Sequence, residues 1–257
     1  MSQTLSQTHL DMSADGVHLN DDSKVSENTL EEAISIIYEY ADDKVTLLNG
    51  TLTHKSKMSL YDCQRMYHQY GGPEPNEENK RYSLRPDGGI FIATFLGVEY
   101  PILIMEDKLQ GTNDRRLYEG KKKQPLGNAI ERAGKNIRGA EMIFSGLSVF
   151  PYLLFTSGCD FHSCETISKR IEMMNFGYPN HYINITSETT EEDVDSKINK
   201  ILETLDISKK SDGKCVAPAF IKAHKWDEMQ HGASMWTRDE YVKIACHVID
   251  TVLESIN

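Results

Sequence analysis

Residues 86–108 read PDGGIFIATFLGVEYPILIMEDK, and the architecture of the chain is predicted outward from them. A Pro-Asp-Gly-Gly turn leads into an apolar run at residues 90–96, which is typical of a β-strand. Residues 97–99 suit a hairpin turn, and a second apolar run follows at residues 100–105. Its proline stands at the start, where a strand tolerates it. The stretch therefore predicts two paired strands with charged residues at the open end of the pair.

These charged residues are Asp87, before the first strand, and Glu106 and Lys108, after the second. Pairing brings Asp87 beside Glu106, and residues two apart on an extended chain share a face, so Asp107 faces the opposite side. Two carboxylates suit Mg²⁺, which lowers the pKa of a bound water, and a lysine beside them orients that water and stabilises a pentavalent phosphate. The same residues also suit an ordinary solvent-exposed turn, so their spacing alone leaves both interpretations open.

The flanking sequence predicts helices and strands that alternate. A capping-box pattern begins at Thr29 and another at Thr237, each followed by apolar residues at helical spacing. The predicted elements are a helix at 29–42, a helix at 128–145, a strand at 149–156, a helix at 191–205 and a C-terminal helix after Thr237. This alternation favours an α/β fold with a mixed central β-sheet flanked by helices.

Composition restricts the class of protein and its location. No apolar run approaches the roughly 20 residues that span a bilayer, and the N-terminus lacks the pattern of a secretory signal, so we expect a cytoplasmic protein without membrane contact. Five scattered cysteines argue against a disulfide framework. Cys159 and Cys164 resemble half of a zinc site, but no second pair follows at usable spacing, so ordinary free thiols are the preferred interpretation.

The charge distribution is uneven. The formal net charge is −11, which is unfavourable for binding DNA phosphates, yet residues 107–138 contain nine basic and four acidic side chains. Because binding depends on where charges lie, a locally basic face on an acidic protein remains compatible with a nucleic-acid partner. Charge alone favours the other interpretation, a solvated surface of mixed charge.

Residues 127–136 read GNAIERAGKN, and here the chain resembles the EcoRI-like type II restriction endonucleases of the PD-(D/E)xK nuclease superfamily. The helix that reads DNA in this family begins with Gly-Asn-Ala-Ile-Glu-Arg. Further segments match in the family's order. They are the Pro86–Gly89 and Glu106-x-Lys108 elements, the strand at 150–155, and the Asn-aromatic-Gly-x-Pro segment at 175–179. The resemblance covers roughly residues 83–180 and implies a restriction-endonuclease-like core.

The resemblance assigns roles to individual residues. Asp87 and Glu106 are implied to bind Mg²⁺, with Mn²⁺ able to substitute, and Lys108 is implied to be the catalytic lysine. Recognition of bases is implied for Asn128, Ala129 and Arg132, because Asn pairs with adenine and Arg with purine acceptors in the major groove. Glu131 is implied to orient recognition arginines. Arg170 falls where the family carries another recognition arginine. The remaining expected DNA contacts are made by Lys135, Arg115, Arg116, Lys121, Lys122 and Lys123.

The family further implies a homodimer that cuts a short palindrome in double-stranded DNA, and a cognate methyltransferase that protects the host. The Gly-Asn-Ala segment predicts an AATT core, whereas Gln124-Pro125-Leu126 departs from the family's usual residues and leaves the outer base pair open. Two alternatives remain: a structure-selective repair or junction nuclease with the same core, and a DNA-binding protein that does not cleave. We expect residues 1–27 to form a flexible arm and residues 28–257 a single nuclease domain, with its catalytic and recognition core at about 83–180.

Overall fold

A mixed sheet of six strands forms the centre of the described chain, and helices cover both faces. The computed structural model describes residues 17–110, 113–123, 128–143, 150–163, 165–174, 181–205, 210–211, 214–215, 217–225 and 235–256. The strands are β1 (Thr51–Lys55), β2 (Met58–Ser59), β3 (Ser83–Leu84), β4 (Gly89–Phe95), β5 (Val98–Leu109), β6 (Tyr152–Ser157), β7 (His181–Ile185), β8 (Lys210–Ser211), β9 (Lys214–Cys215) and β10 (Ala219–His224). The predicted α/β class with a mixed central sheet is confirmed.

The helices are α1 (Val17–Leu47), α2 (Leu60–His68), α3 (Asn113–Tyr118), α4 (Asn128–Ile143), α5 (Cys159–Ser163), α6 (Glu165–Met174), α7 (Glu191–Leu202) and α8 (Arg238–Ile256). A short 3-10 helix spans Glu77–Arg81. Among the described helices, none is both long and apolar enough to cross a membrane.

The central sheet has the strand order β1-β4-β5-β6-β10-β7. β4 is antiparallel to both of its neighbours, β1 and β5, whereas β5, β6, β10 and β7 run parallel to one another. The long strand β5 joins the two halves, so its carboxyl end lies at the same edge as the end of β6. Because parallel neighbours end together, this edge collects the polar residues that follow the buried parts of both strands.

The hairpin between β4 and β5 is confirmed, but its turn lies one residue earlier than predicted. Leu96 and Gly97 form the turn, with φ angles of 51° and 83°. Two successive positive φ values match the twist of a two-residue hairpin, so pairing resumes immediately between Phe95 and Val98. The register shifts between Phe91 and Ile92, which gives β5 an extra residue beside Pro101.

The two faces of the sheet bury separate apolar clusters. One face packs against α1 and α8, and the other packs against α4 and its neighbours. The first cluster includes Ala33, Ile37, Phe91, Leu103, Met105, Tyr241 and Val248. The second includes Ile90, Ile104, Ile130, Ala133, Ile137, Tyr152 and Leu154. Successive residues of β5 therefore face α8 and α4 in turn, which fixes where each charged residue at its end projects.

Helix α1 begins well before the predicted residue 29. It starts at Val17, so residues 17–27 are helical although they were expected to belong to the arm. Thr29 does not cap the helix: its hydroxyl donates to the carbonyl of Val25 at 2.8 Å, inside a continuous helix. Residues 1–16 lie outside the described residues, and the division into an arm and one domain remains a prediction.

The other predicted elements lie close to their expected positions. Glu240 and Thr237 form the predicted reciprocal cap of α8, with the Thr237 amide donating to Glu240 Oε2 at 2.7 Å. Helix α7 ends at Leu202, three residues earlier than predicted. Helix α4 and strand β6 are present, and the residues between them, 144–149, lie outside the described part of the chain.

Candidate active site

A tight turn places Asp87 beside the end of β5. The Gly88 amide donates to the Met105 carbonyl at 2.8 Å, and the Gly89 amide donates to the Pro86 carbonyl at 3.1 Å. Gly89 has a φ of +82°, and a Cβ on it would lie 2.2 Å from His54 Nε2. A side chain is thus excluded at this position by both backbone conformation and space. The turn therefore holds Asp87 close to Met105, the residue before Glu106.

Asp87, Glu106 and Lys108 form one charged cluster, as their spacing predicted. Lys108 Nζ lies 2.7 Å from Glu106 Oε1 and also contacts Asp87 Oδ2, so the ammonium bridges the two carboxylates. It donates in addition to the Asp107 carbonyl at 3.0 Å. The Glu106 side chain is 1% exposed, whereas the Asp87 side chain is 45% exposed. One carboxylate is therefore held inside the protein and the other faces solvent.

Burial and charge shift the pKa values within this cluster in opposing ways. Burial raises the pKa of Glu106, although the nearby Lys108 charge and a hydrogen bond from Asn136 partly counter it. Burial by itself would lower the pKa of Lys108, but the attraction of Glu106 and the hydrogen bonds to both carboxylates outweigh it and raise that pKa. Lys108 is consequently held as a cation within this cluster.

The donor set fits a divalent cation. Glu106 Oε2 is buried and has no hydrogen-bond partner among the described residues, although a buried carboxylate oxygen ordinarily has one. In the same part of the chain, no three His, Cys, Asp or Glu side chains lie together as a complete metal site. Two carboxylates without a third protein ligand suit Mg²⁺, which keeps waters and takes oxygens from a phosphate. Asp87 and Glu106 are the residues that would hold it.

Asp107 faces the opposite side of β5, as expected for the residue between Glu106 and Lys108. Its Oδ2 accepts a hydrogen bond of 3.2 Å from Ser26 of α1, and burial raises its pKa to about 6. Strand alternation therefore turns the Asp107 side chain toward α1, although Asp107 lines one cavity together with Asp87 and Lys108.

The predicted DNA-reading residues lie at the beginning of α4. Glu131, Arg132 and Lys135 are exposed on the first turns of this helix. Asn128 and Ala129 belong to the first turn, and their side chains are outside the described set. The helix N-terminus thus presents polar side chains outward, while Ile130, Ala133 and Ile137 are buried against the sheet.

Arg170 of α6 lies next to the start of α4, although it is far away in the sequence. Its Nη1 is 3.2 Å from Glu131 Oε1. The helices approach closely at Gly134, where a Cβ would lie 1.8 Å from Met174 Sδ. The structure therefore brings together Glu131, which was predicted to orient recognition arginines, and Arg170, which was predicted to be such an arginine. The segment 175–179, which supported the resemblance, lies outside the described residues.

The other predicted basic residues follow the cluster along the chain. Arg116 Nε donates to the Lys122 carbonyl at 2.7 Å, and Lys121 Nζ forms a 3.0 Å ion pair with Glu119. Lys122 and Lys123 are exposed, and Arg115 lies in α3 with its side chain outside the described set. This basic segment leads from the end of β5 toward α4.

Sequence reasoning missed two polar residues that face Glu106. Asn136 Nδ2 donates to Glu106 Oε1 at 3.3 Å. The hydroxyl of Tyr152 is buried without a hydrogen-bond partner among the described residues. Its pKa is well above the ordinary value, mainly because of burial and to a smaller extent because of the negative charges of Glu106 and Asp87. The sequence did indicate that Asn136 faces the protein interior, because it lies beside the buried positions Ala133 and Ile137 of an amphipathic helix.

A mixed sheet whose central strand ends in two carboxylates and a lysine, followed by an exposed basic segment, is suited to hydrolysing phosphodiesters. The model of a family described as Restriction endonuclease EcoRI matches residues 78–257, which is more than half of the chain. The chain therefore belongs to the EcoRI restriction endonuclease family, and it is a type II site-specific deoxyribonuclease that binds double-stranded DNA. Restriction endonucleases generally use a divalent metal ion. A comparison with curated proteins finds no match.

Proposed function

We propose that this type II restriction endonuclease hydrolyses phosphodiester bonds in a Mg²⁺-dependent reaction, at a short palindromic site with an AATT core. The observation that supports the metal dependence is the Asp87 and Glu106 pair, bridged by the Lys108 ammonium. The Lys108 cation lies between these two carboxylates, and the buried Oε2 of Glu106 has no hydrogen-bond partner among the described residues. The PD-(D/E)xK assignment of these three residues is part of the proposal.

In this mechanism the protein supplies a rigid set of charges. When bound, Mg²⁺ polarises the scissile phosphate and lowers the pKa of the attacking water. Glu106, which is buried, and Asp87, which is exposed, are the residues that would hold the cation. Lys108 orients the attacking water and stabilises the negative charge that develops on the phosphate. Because Glu106 is buried and the Asp87 turn is fixed by Gly88 and Gly89, the protein reorganises little during the reaction.

We further propose that the start of α4 reads the base sequence. Asn128 and Arg132 contact purines in the major groove, with Ala129 allowing close approach, and Glu131 orients Arg170. The 3.2 Å pair between Glu131 and Arg170 supports this, because a carboxylate that holds an arginine fixes the direction of its remaining donors. Phosphate contacts that fix register without reading sequence are proposed for Lys135, Arg115, Arg116, Lys121, Lys122 and Lys123.

A palindromic target calls for two-fold symmetry, so we propose a homodimer in which each subunit cuts one strand. A cognate methyltransferase that protects the same site belongs to the proposed system. In each subunit, residues 28–257 are proposed to act as one nuclease domain preceded by an arm.

Sequencing the ends of digested DNA tests this proposal most directly. Genomic DNA incubated with the protein and Mg²⁺ is expected to give discrete fragments whose ends share one palindrome containing AATT. Chelation of the metal should stop the reaction, and Mn²⁺ should restore it. Ends that share a DNA structure but no sequence would favour a junction or repair nuclease, and absence of cutting would favour a DNA-binding protein.

A second prediction concerns specificity. Arg132→Ala is expected to weaken binding to the cognate duplex by about 1–3 kcal/mol for each base that the arginine side chain reads. Binding to a non-cognate duplex should change far less, because only the base-reading term is removed. Fluorescence anisotropy with both duplexes measures the difference, and Lys123→Ala serves as the comparison, since removing a phosphate-binding side chain weakens both equally. An equal weakening of both duplexes in Arg132→Ala would remove Arg132 from the recognition set.

A further inference from the structure

Helix α4 makes direct contact with the proposed metal ligand. Asn136 lies four residues after Arg132, which is about one helical turn, so both residues occupy the same side of the helix. Arg132 is exposed near the helix start, whereas Asn136 is half-buried and donates to Glu106 Oε1 at 3.3 Å. One side of α4 therefore joins the predicted DNA-reading surface to the buried carboxylate.

The hydrogen bonds to Glu106 converge on one oxygen. Lys108 Nζ, at 2.7 Å, and Asn136 Nδ2, at 3.3 Å, both contact Oε1. The second oxygen, Oε2, is buried and has no partner among the described residues. Two donors on the same oxygen define the rotation of the carboxylate, and they leave the other oxygen to a ligand.

The two donors differ in the number of acceptors that they contact besides Glu106. Lys108 divides its ammonium among Glu106, Asp87 and the Asp107 carbonyl. Asn136 makes its one described side-chain hydrogen bond with Glu106. Because a side-chain amide is neutral, it orients the carboxylate without competing as a cation for the same site. Asn136 is therefore suited to hold Glu106 whatever position Lys108 adopts.

We propose that Asn136 is a positioning residue, which holds the Glu106 carboxylate with Oε2 directed to the metal and couples its orientation to the placement of α4. This inference rests on the proposed function, because it takes Glu106 to be a metal ligand. Partners that orient a metal ligand typically change metal affinity or activity by about 10–100-fold when they are removed.

The test compares Asn136→Ala and Asn136→Asp with the matched variant Asn199→Ala. Asn199 also donates its amide to a carboxylate at 3.3 Å, that of Asp195 on the exposed helix α7. Three quantities are measured: the single-turnover cleavage rate, the affinity for cognate duplex without metal, and the binding of Mn²⁺ to the DNA-free protein by electron paramagnetic resonance. The last readout does not depend on turnover.

For Asn136→Ala we expect the cleavage rate and the Mn²⁺ affinity each to fall by about 10–100-fold, with DNA affinity within about 2-fold. Asn136→Asp preserves the shape but places a negative charge beside Glu106, so its cleavage rate should fall further. Asn199→Ala should change none of the three quantities. A cleavage rate and Mn²⁺ affinity in Asn136→Ala equal to those of Asn199→Ala would overturn the inference. So would a loss of DNA affinity as large as the loss of rate, because Asn136 would then act through binding.

Glu106→Ala separates this inference from the proposed function. If Glu106→Ala cuts DNA and binds Mn²⁺ normally, Glu106 is not a metal ligand, and the metal site of the proposed function fails together with this inference. If Glu106→Ala loses both properties while both Asn136 variants retain them, the metal site stands and only the positioning role is rejected.

Discussion

Asp87→Ala and Glu106→Ala are each expected to lower the single-turnover cleavage rate by about 10³-fold or more, while the affinity for duplex DNA is retained. Each substitution removes one of the two carboxylates that would hold the cation. Neither removes a DNA contact, and loss of a negative charge reduces repulsion from phosphates. Lys108→Ala should lower the rate comparably, and it leaves both carboxylates without the ammonium that now bridges them.

Asp107→Asn is the matched control for these three variants. Asp107 lies between Glu106 and Lys108 in the sequence, but its carboxylate faces Ser26 on the other side of β5. We expect it to cut DNA at a rate within about 10-fold of the original protein, because its carboxylate pairs with Ser26, and the backbone carbonyl that accepts from Lys108 is unchanged by the substitution. Plasmid cleavage under single-turnover conditions and binding by gel shift distinguish the variants. Normal cutting by Asp87→Ala or Glu106→Ala would contradict the assignment of the metal site.

Lys222→Met is expected to cause the largest loss of stability, about 3–5 kcal/mol in the free energy of unfolding. Lys222 Nζ lies 2.8 Å from Glu240 Oε2, donates to the Met235 carbonyl at 2.9 Å, and lies over the Trp236 ring. The two side chains are only 5% and 12% exposed. Removing the lysine leaves the Glu240 charge buried without its counter-ion, and desolvation of that charge is the main cost.

Lys243→Met provides the comparison, because Lys243 pairs with Asp195 while both side chains remain partly exposed. An exposed pair contributes about 0–1 kcal/mol, so this variant should unfold close to the original denaturant midpoint. The double variant Lys222→Met with Glu240→Leu should regain part of the stability, because no unpaired charge remains, although the Thr237 amide loses the Glu240 cap. Urea unfolding followed by tryptophan fluorescence measures all three. A decrease of less than about 1 kcal/mol in Lys222→Met would show that Glu240 reaches water in the folded protein.

The charged cluster was predictable because it depends on short-range rules. A turn before one strand, a charged end on the next and the alternation of side chains suffice to place Asp87 near Glu106 and Lys108. The contact between Asn136 and Glu106 depends instead on how α4 packs across the sheet. A single sequence indicates which face of a helix is buried, but it does not indicate which residue of the neighbouring strand that face meets.

The start of α1 was predicted wrongly for a related reason. Residues 17–28 contain few apolar side chains, so the Thr29 pattern resembled a helix start. In the structure the helix continues through this segment, and Ser26 is buried against Asp107 of β5. The first part of this helix thus makes a tertiary contact with the carboxyl end of β5, and the local sequence pattern does not indicate that contact. The pair between Glu131 and Arg170 was accessible only through the family resemblance.

The position of β10 between β6 and β7 has a consequence for how the molecule is assembled. Both neighbours of β10 precede it in the chain. During synthesis, β6 and β7 therefore emerge before the strand with which each of them forms hydrogen bonds on that side. The parallel half of the sheet is completed only when residues 219–224 insert between them and Trp236 donates its indole hydrogen to the Thr156 carbonyl. A ribosome-bound chain that ends before this strand has an unpaired edge beside the cleavage centre, so the enzyme acquires a complete sheet late in its own synthesis.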